Sequence, residues 1–119
     1  MPIKTAADII GEARQHINCV DVQQAKELFH SNENAVIIDV READKAKSSK
    51  LNDSVNISRG LLEMKVTGVC SNPGAVILTH CGGGGRACLA ARTLVEMGYQ
   101  NVYAITASYD SIKVHFDQT

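Results

Sequence analysis

The chain has 119 residues, 45% of them apolar and 21% charged, with a formal net charge of −1. That length fits one globular domain with its own core, and the composition excludes a disordered polymer. Mixed signs, the lack of a long basic run and 4% aromatic residues leave no footprint for nucleic acid or a membrane surface. The N-terminal stretch from Met1 to His16 carries charges throughout. Neither a signal peptide nor a membrane span is expected there, and the cytoplasm is the expected location. Cys19, Cys70, Cys81 and Cys88 are too few and too scattered for a disulfide framework, so free thiols are expected. No CxxC occurs and no histidine stands at ligand spacing to a cysteine, so neither a metal nor another cofactor is expected.

Ala6, Ile9, Ile10, Ala13 and Ile17 recur at helical spacing and predict a helix from Thr5 to Ile17. It belongs to a segment, residues 1–18, that precedes the core. Cys19 reads as a packed strand residue. Asp21 with Gln24 is a capping-box pattern that opens a second helix in "DVQQAKELF". "AVIIDV", Ala35 to Val40, is a short β-branched run, the signature of a strand buried on both faces. "READKAKSS" predicts an exposed turn or short helix, "SVNIS" a short strand, and "LLEMKV" a helical turn. "AVILTH", Ala75 to His80, repeats the buried-strand signature after the Asn72-Pro73-Gly74 turn. Ala87, Ala90, Ala91, Leu94 and Val95 then form one apolar helix face, with Gly98 as its C-cap. "NVYAI" is the last predicted strand. Met64 and Met97 read as core filler, and His16, His30 and His115 as surface residues. Without repeats or linker composition, residues 1–119 read as one α/β domain with a mostly parallel central sheet flanked by helices.

Such sheets build their sites beyond the carboxyl ends of strands, where Cys81, Gly82, Gly83, Gly84, Gly85 and Arg86 fall in sequence. Four ordered glycines cost about 2–4 kcal/mol relative to alanine. A linker would have polar flanks and join domains; this run joins a buried strand to a helix with a buried face. The pattern predicts an anion-binding nest, in which glycines at positive φ turn the amides of Gly82 to Ala87 inward. The N-terminus of the next helix forms its floor, and Arg86 adds a cationic fork. That field favours a thiolate, which makes Cys81 the candidate nucleophile. Cys81 taken alone also fits a buried small hydrophobe, but that reading leaves the glycines and Arg86 unexplained.

The phosphate loop GxxxxGK[ST] is excluded, because no Gly-Lys pair follows the glycines. His80-Cys81 is followed by four residues and then Arg86, one residue fewer than in cysteine phosphatases. The tighter ring suits one extra sulfur atom better than a phosphoryl group. His80 adjoins Cys81 on a strand, so the two point to opposite faces and His80 reads as structural. Cys88 and Cys70 read as packed thiols. The alternatives are a resolving role toward Cys81 for Cys88 and a second reactive thiol for Cys70.

In "VIIDVRE", "LNDSVNISRGLLE", "CGGGGRA" and "LVEMGYQNVYAI", from about Asp21 to Tyr103, the chain resembles the rhodanese family of sulfurtransferases in its small single-domain form. The resemblance implies a three-layer fold with a parallel sheet between helices. It also implies that Cys81 takes a sulfane sulfur from an anionic donor such as thiosulfate and passes it, as a persulfide, to cyanide or a thiol, including a protein thiol. Gly82 to Arg86 and Ala87 would bind the substrate, and Asp39 and Arg41 would brace the loop. Arg59 is a further candidate for the pocket; Arg41 and Arg59 equally fit a solvated surface. Three departures stand out: Ser49-Lys50-Leu51 replaces a common Gly-His-Ile, Ser58 replaces a proline, and Ala107-Ser108 replaces a Gly-Gly that precedes a tryptophan. The last implies a rebuilt turn beside the active loop. The rival readings are a phosphatase or arsenate reductase on the same scaffold, and a non-catalytic binding or redox-sensing module.

Overall fold

The computed structural model describes residues 2–117. In chain order it has α1 (Ala6–Arg14), β1 (Asn18–Val20), α2 (Val22–His30), β2 (Val36–Asp39), α3 (Ala43–Ser48) and β3 (Ser54–Asn56). A 3-10 turn (Arg59–Leu61), α4 (Leu62–Val69), β4 (Val76–His80), α5 (Gly85–Met97), β5 (Asn101–Ile105) and α6 (Tyr109–Phe116) follow. The strands form one sheet in the order β1-β5-β4-β2-β3, and every pairing in it is parallel.

Local signals account for most boundaries. Thr5 caps α1 and Asp21 caps α2, each in a reciprocal capping box that satisfies two otherwise orphaned amides. Gly98 closes α5 in the left-handed conformation, at φ 108°. α1 is shorter than its apolar spacing predicts, ending at Arg14 instead of Ile17; the chain then turns into β1, so Ile17 packs against the core from outside the helix. α6 was not expected from the sequence. Ser108 accepts from the Ser111 amide to start it, and buried Ile112 seats it.

Neighbouring strand residues split between two cores, as the pleat demands. Ile38 and Ile77 point to the side covered by α4 and α5, against Leu62, Val66, Ala91 and Leu94. Ile37 and Leu78 point to the side covered by α2 and α6, against Ala25 and Ile112. The small residues at the start of α5, Ala87, Ala90 and Ala91, are fully buried and let that helix lie close to the sheet. Met64 and Met97 do not fill the core: they are 82% and 40% exposed. Each lies on the outer side of a helix whose inward positions are taken by Val66 and Leu94.

The strand order fixes where a site can form. From β2 the chain continues outward to β3, whereas from β4 it continues to β5 on the other side. The connections leaving adjacent strands β2 and β4 therefore diverge, which opens a crevice beyond their carboxyl ends. Asp39 and His80 sit side by side at that edge.

Candidate active site

Cys81 is the first residue after β4 and Gly84 is the N-cap of α5. Between them the chain makes a tight return that aims two amides at the sulfur. The N–H of Gly84 donates to Cys81 Sγ at 3.0 Å and that of Ala87 at 3.4 Å. The thiol lies at the head of a helix of 13 residues, in the positive end of its dipole. Cys81 is 2% exposed. Gly82 and Gly83 form an exposed lip above it, and no atom stands within 4 Å of where their side chains would begin.

The expectation that successive glycines take positive φ needs correction. Of the four, only Gly84 does, at φ 102°. At Gly85 a Cβ would stand 2.9 Å from Ile10 Cδ1, a side-chain tip that would have to shift, so α1 rests directly on the start of α5. Gly84 is hemmed in by the backbone of Thr106, 3.4 Å from its virtual Cβ. The loop is thus held by neighbours on two sides and is not an open polyglycine arc.

Arg86 projects outward, with its side chain 46% exposed and Nη1 3.7 Å from Glu42 Oε1. A partner that is itself 64% exposed leaves this guanidinium largely available to an incoming anion. Arg41, by contrast, is fully committed. Its guanidinium grips both oxygens of fully buried Asp39, donates to the Ser49 carbonyl at 2.6 Å and lies 3.8 Å over the Tyr109 ring. The hydrogen bond to Asp39 raises the Arg41 pKa further, against the opposing effect of burial. The solvated surface reading of Arg41 therefore fails. One end of this pair is anchored in β2, at the wall of the crevice.

Arg59 stands elsewhere. It donates to Glu63 at 3.1 Å and to Thr93 at 2.8 Å. It lines a cavity of about 530 Å³ between α1 and α5, together with Glu12, His16 and Arg92. Cys88 is fully buried in the core beneath α5, and Cys70 caps the end of α4 at 7% exposure.

Sequence reasoning missed Tyr109. Its amide donates to the Gly82 carbonyl at 3.0 Å, and its hydroxyl meets Ser49 Oγ at 2.6 Å. Its ring lies between Arg41 and the imidazole of His80, the latter stacked at 6.0 Å. The rebuilt turn at Ala107-Ser108 needs no positive φ, because Ser108 at φ −69° starts α6 directly and delivers Tyr109 to the loop. The signal was present: a serine followed by Asp110 in the first turn, then Ile112 and Phe116 one helical repeat apart. His80 is wholly buried, and neither ring nitrogen has a hydrogen-bond partner among the described residues. Burial holds its pKa below the ordinary histidine value, with Arg41 adding to that effect and Asp39 opposing it.

A five-stranded parallel sheet flanked by helices, with a cysteine loop at the head of the helix after β4, defines an α/β domain whose loop thiol accepts from two backbone amides. Residues 21–115 match the Rhodanese-like domain family, and the chain belongs to that family. No curated protein sequence matches it. Its fold is similar to that of a Rhodopseudomonas palustris protein of unknown function, named as a possible tyrosine phosphatase. The two are 24% identical with a TM-score of 0.78, over 97% of this chain and 96% of the other. It is also similar to a human single-domain sulfurtransferase, at 19% identity and TM-score 0.68 over 77% and 91% of the two chains. The polysulfide-sulfur transferase homodimer of Wolinella succinogenes is 26% identical with TM-score 0.71, over 85% and 76%. Among the described residues no helix is long and apolar enough to cross a membrane.

Proposed function

We propose that the protein is a cytoplasmic sulfurtransferase that carries a sulfane sulfur on Cys81. The observation that carries this reading is the convergence of the Gly84 and Ala87 amides on Cys81 Sγ. Donors preorganised around a sulfur stabilise negative charge on it without reorganising during reaction. In the first half-reaction the Cys81 thiolate attacks the outer sulfur of a donor such as thiosulfate. A sulfur–sulfur bond forms, the donor's own sulfur–sulfur bond breaks, and sulfite leaves with the electron pair. In the second, a thiol or cyanide attacks the outer sulfur of the persulfide, and Cys81 leaves as thiolate. Arg86, exposed at the lip, meets the anionic donor. Gly82 and Gly83 offer a passage without side chains to a sulfur that is otherwise covered.

The test is thiosulfate-to-cyanide transfer by wild type and Cys81→Ser, with intact mass after thiosulfate exposure. Ping-pong turnover abolished by the substitution, and one added sulfur mapped to Cys81, are the expected results. Turnover that survives Cys81→Ser overturns the mechanism. One added sulfur without turnover would favour the carrier or sensor reading. The similarity to a possible tyrosine phosphatase makes phosphomonoester hydrolysis the second reading to assay; the four-residue interval from Cys81 to Arg86 speaks against it.

A further inference from the structure

Besides Cys81 and Cys70, the molecule brings two more thiols, Cys19 and Cys88, to the same side of the sheet. Cys19 stands opposite Ala104, and Thr79 stands opposite Ala104 from the other side, so the three form one row across β1, β5 and β4. Residues in one row of a parallel sheet share a face. The face is the α5 side, because the Thr79 hydroxyl donates to the carbonyl of Ala87 at 2.8 Å. Cys88 is the next residue of α5 and is fully buried. The residue between the two elements in that row is only an alanine, also fully buried. Cys19 packs against the core cluster that holds Cys88.

Burial first, and then the neighbouring Cys19, push the Cys88 thiol up to about 11. Cys19 and Cys88 are thus neighbouring thiols of one core cluster, and Arg14 at the end of α1 is the cation that acts on Cys88. Their exposure differs: Cys19 is partly open on edge strand β1, and Cys88 is closed off. The family match begins at Asp21, after Cys19, so the pair joins a residue outside the matched region to one within it.

We propose that Cys19 and Cys88 are an oxidation site that closes an internal disulfide, fastening edge strand β1 to the first turns of α5. A hydroperoxide supplies the oxidant. The Cys19 sulfur attacks its terminal oxygen, the O–O bond breaks, and water or an alcohol leaves, giving a sulfenic acid. The Cys88 sulfur then attacks the Cys19 sulfur, an S–S bond forms, and the S–O bond breaks. The departing hydroxide takes the Cys88 proton and leaves as water. Two thiols are oxidised by two electrons and one peroxide is reduced. The raised Cys88 pKa gives the pair an order of events: the open Cys19 reacts with oxidant and the buried Cys88 resolves it. None of this requires Cys81 or sulfur transfer.

The test treats the full chain, as wild type and as Cys81→Ser, with hydrogen peroxide, then alkylates the remaining thiols after denaturation. Trypsin cleaves after Arg14, Lys26, Arg86 and Arg92, so Cys19 and Cys88 fall on separate peptides. The expected result in both proteins is loss of Cys19 and Cys88 as alkylatable thiols, whatever becomes of Cys81 in wild type, and a reducible link between peptides Gln15–Lys26 and Ala87–Arg92. In Cys88→Ser, Cys19 is expected to run on to the sulfinic acid; in Cys19→Ser, Cys88 stays alkylatable. A Cys88 that remains alkylatable in wild type while Cys19 is oxidised, dimers linked through Cys19, or a link from Cys88 to Cys81 each overturns the proposal.

Discussion

Replacing Gly84 by alanine isolates the backbone feature on which the cup depends. Gly84 holds φ 102° and ψ −23°, and an added Cβ would stand 3.4 Å from the Thr106 Cα. A side chain in a left-handed conformation costs roughly 1–2 kcal/mol. The new carbon would meet the Thr106 backbone at ordinary contact distance, so the cost lies in the φ angle. The expected loss is about 1–2 kcal/mol of stability, or about 4–8 °C in Tm for a domain of this size. Relaxation that relieves the strain must also rotate the amide that lies 3.0 Å from Cys81, so sulfur transfer should fall by more than stability alone explains. Gly83→Ala is the matched control. Its φ is ordinary and no atom lies within 4 Å of the new carbon, so its stability should hold or rise by about 0.4–1 kcal/mol. Calorimetry of both variants, with transfer rates alongside, reads the result. Equal losses in the two, or a Gly84→Ala protein as stable as wild type, would refute the reasoning.

Removing Arg41 leaves the fully buried Asp39 without its cation, and Arg41→Ala should cost about 3–5 kcal/mol in urea titration. Arg59→Ala loses an i,i+4 pair with a half-exposed glutamate and a 2.8 Å bond to Thr93, and should cost about 1–3 kcal/mol by the same titration, less than Arg41→Ala. Burial holds the His80 pKa below the ordinary 6.5, so the unfolded chain takes up a proton first as pH falls. The stability it contributes is complete above about 6.5 and is lost as pH falls toward the folded value, a slope that His80→Phe should flatten in melts across that range. Arg86→Ala should leave Tm nearly unchanged, because its one ion pair is loose and exposed. Under the sulfur-transfer reading it should lower kcat/KM for thiosulfate about 10- to 100-fold through a lost charge-assisted bond.

Much of the site was legible because its components are contiguous. Cys81, the glycines, Arg86 and the helix that follows are one stretch of chain, and the physics of a strand running into a capped helix is local. Asp39 and Arg41 were singled out only through the resemblance, and their ion pair came from the structure: proximity at a strand end does not say whether the arginine folds back or faces water. Tyr109 was not legible, although it touches Gly82, Arg41, His80 and Ser49. It enters through α6, a short helix whose seat is the buried Ile112 against the second core, and no local pattern says which loop a helix N-terminus will face. The misplaced methionines make the same point: an apolar side chain on a short helix does not reveal which face meets the sheet.

From its sequence alone this chain disclosed its strands and nearly all its helices, the caps of α2 and α5, and the thiol at a helix head, since each depends on interactions within a few residues. Only the folded sheet decided that β2 and β4 lie side by side with diverging exits, that Gly84 alone of the four loop glycines takes positive φ with Thr106 packed beside it, and that Cys19 joins the core cluster of Cys88. Those outcomes depend on strand order and interlayer distance, which join residues far apart in the chain and are set by the packing of the whole core.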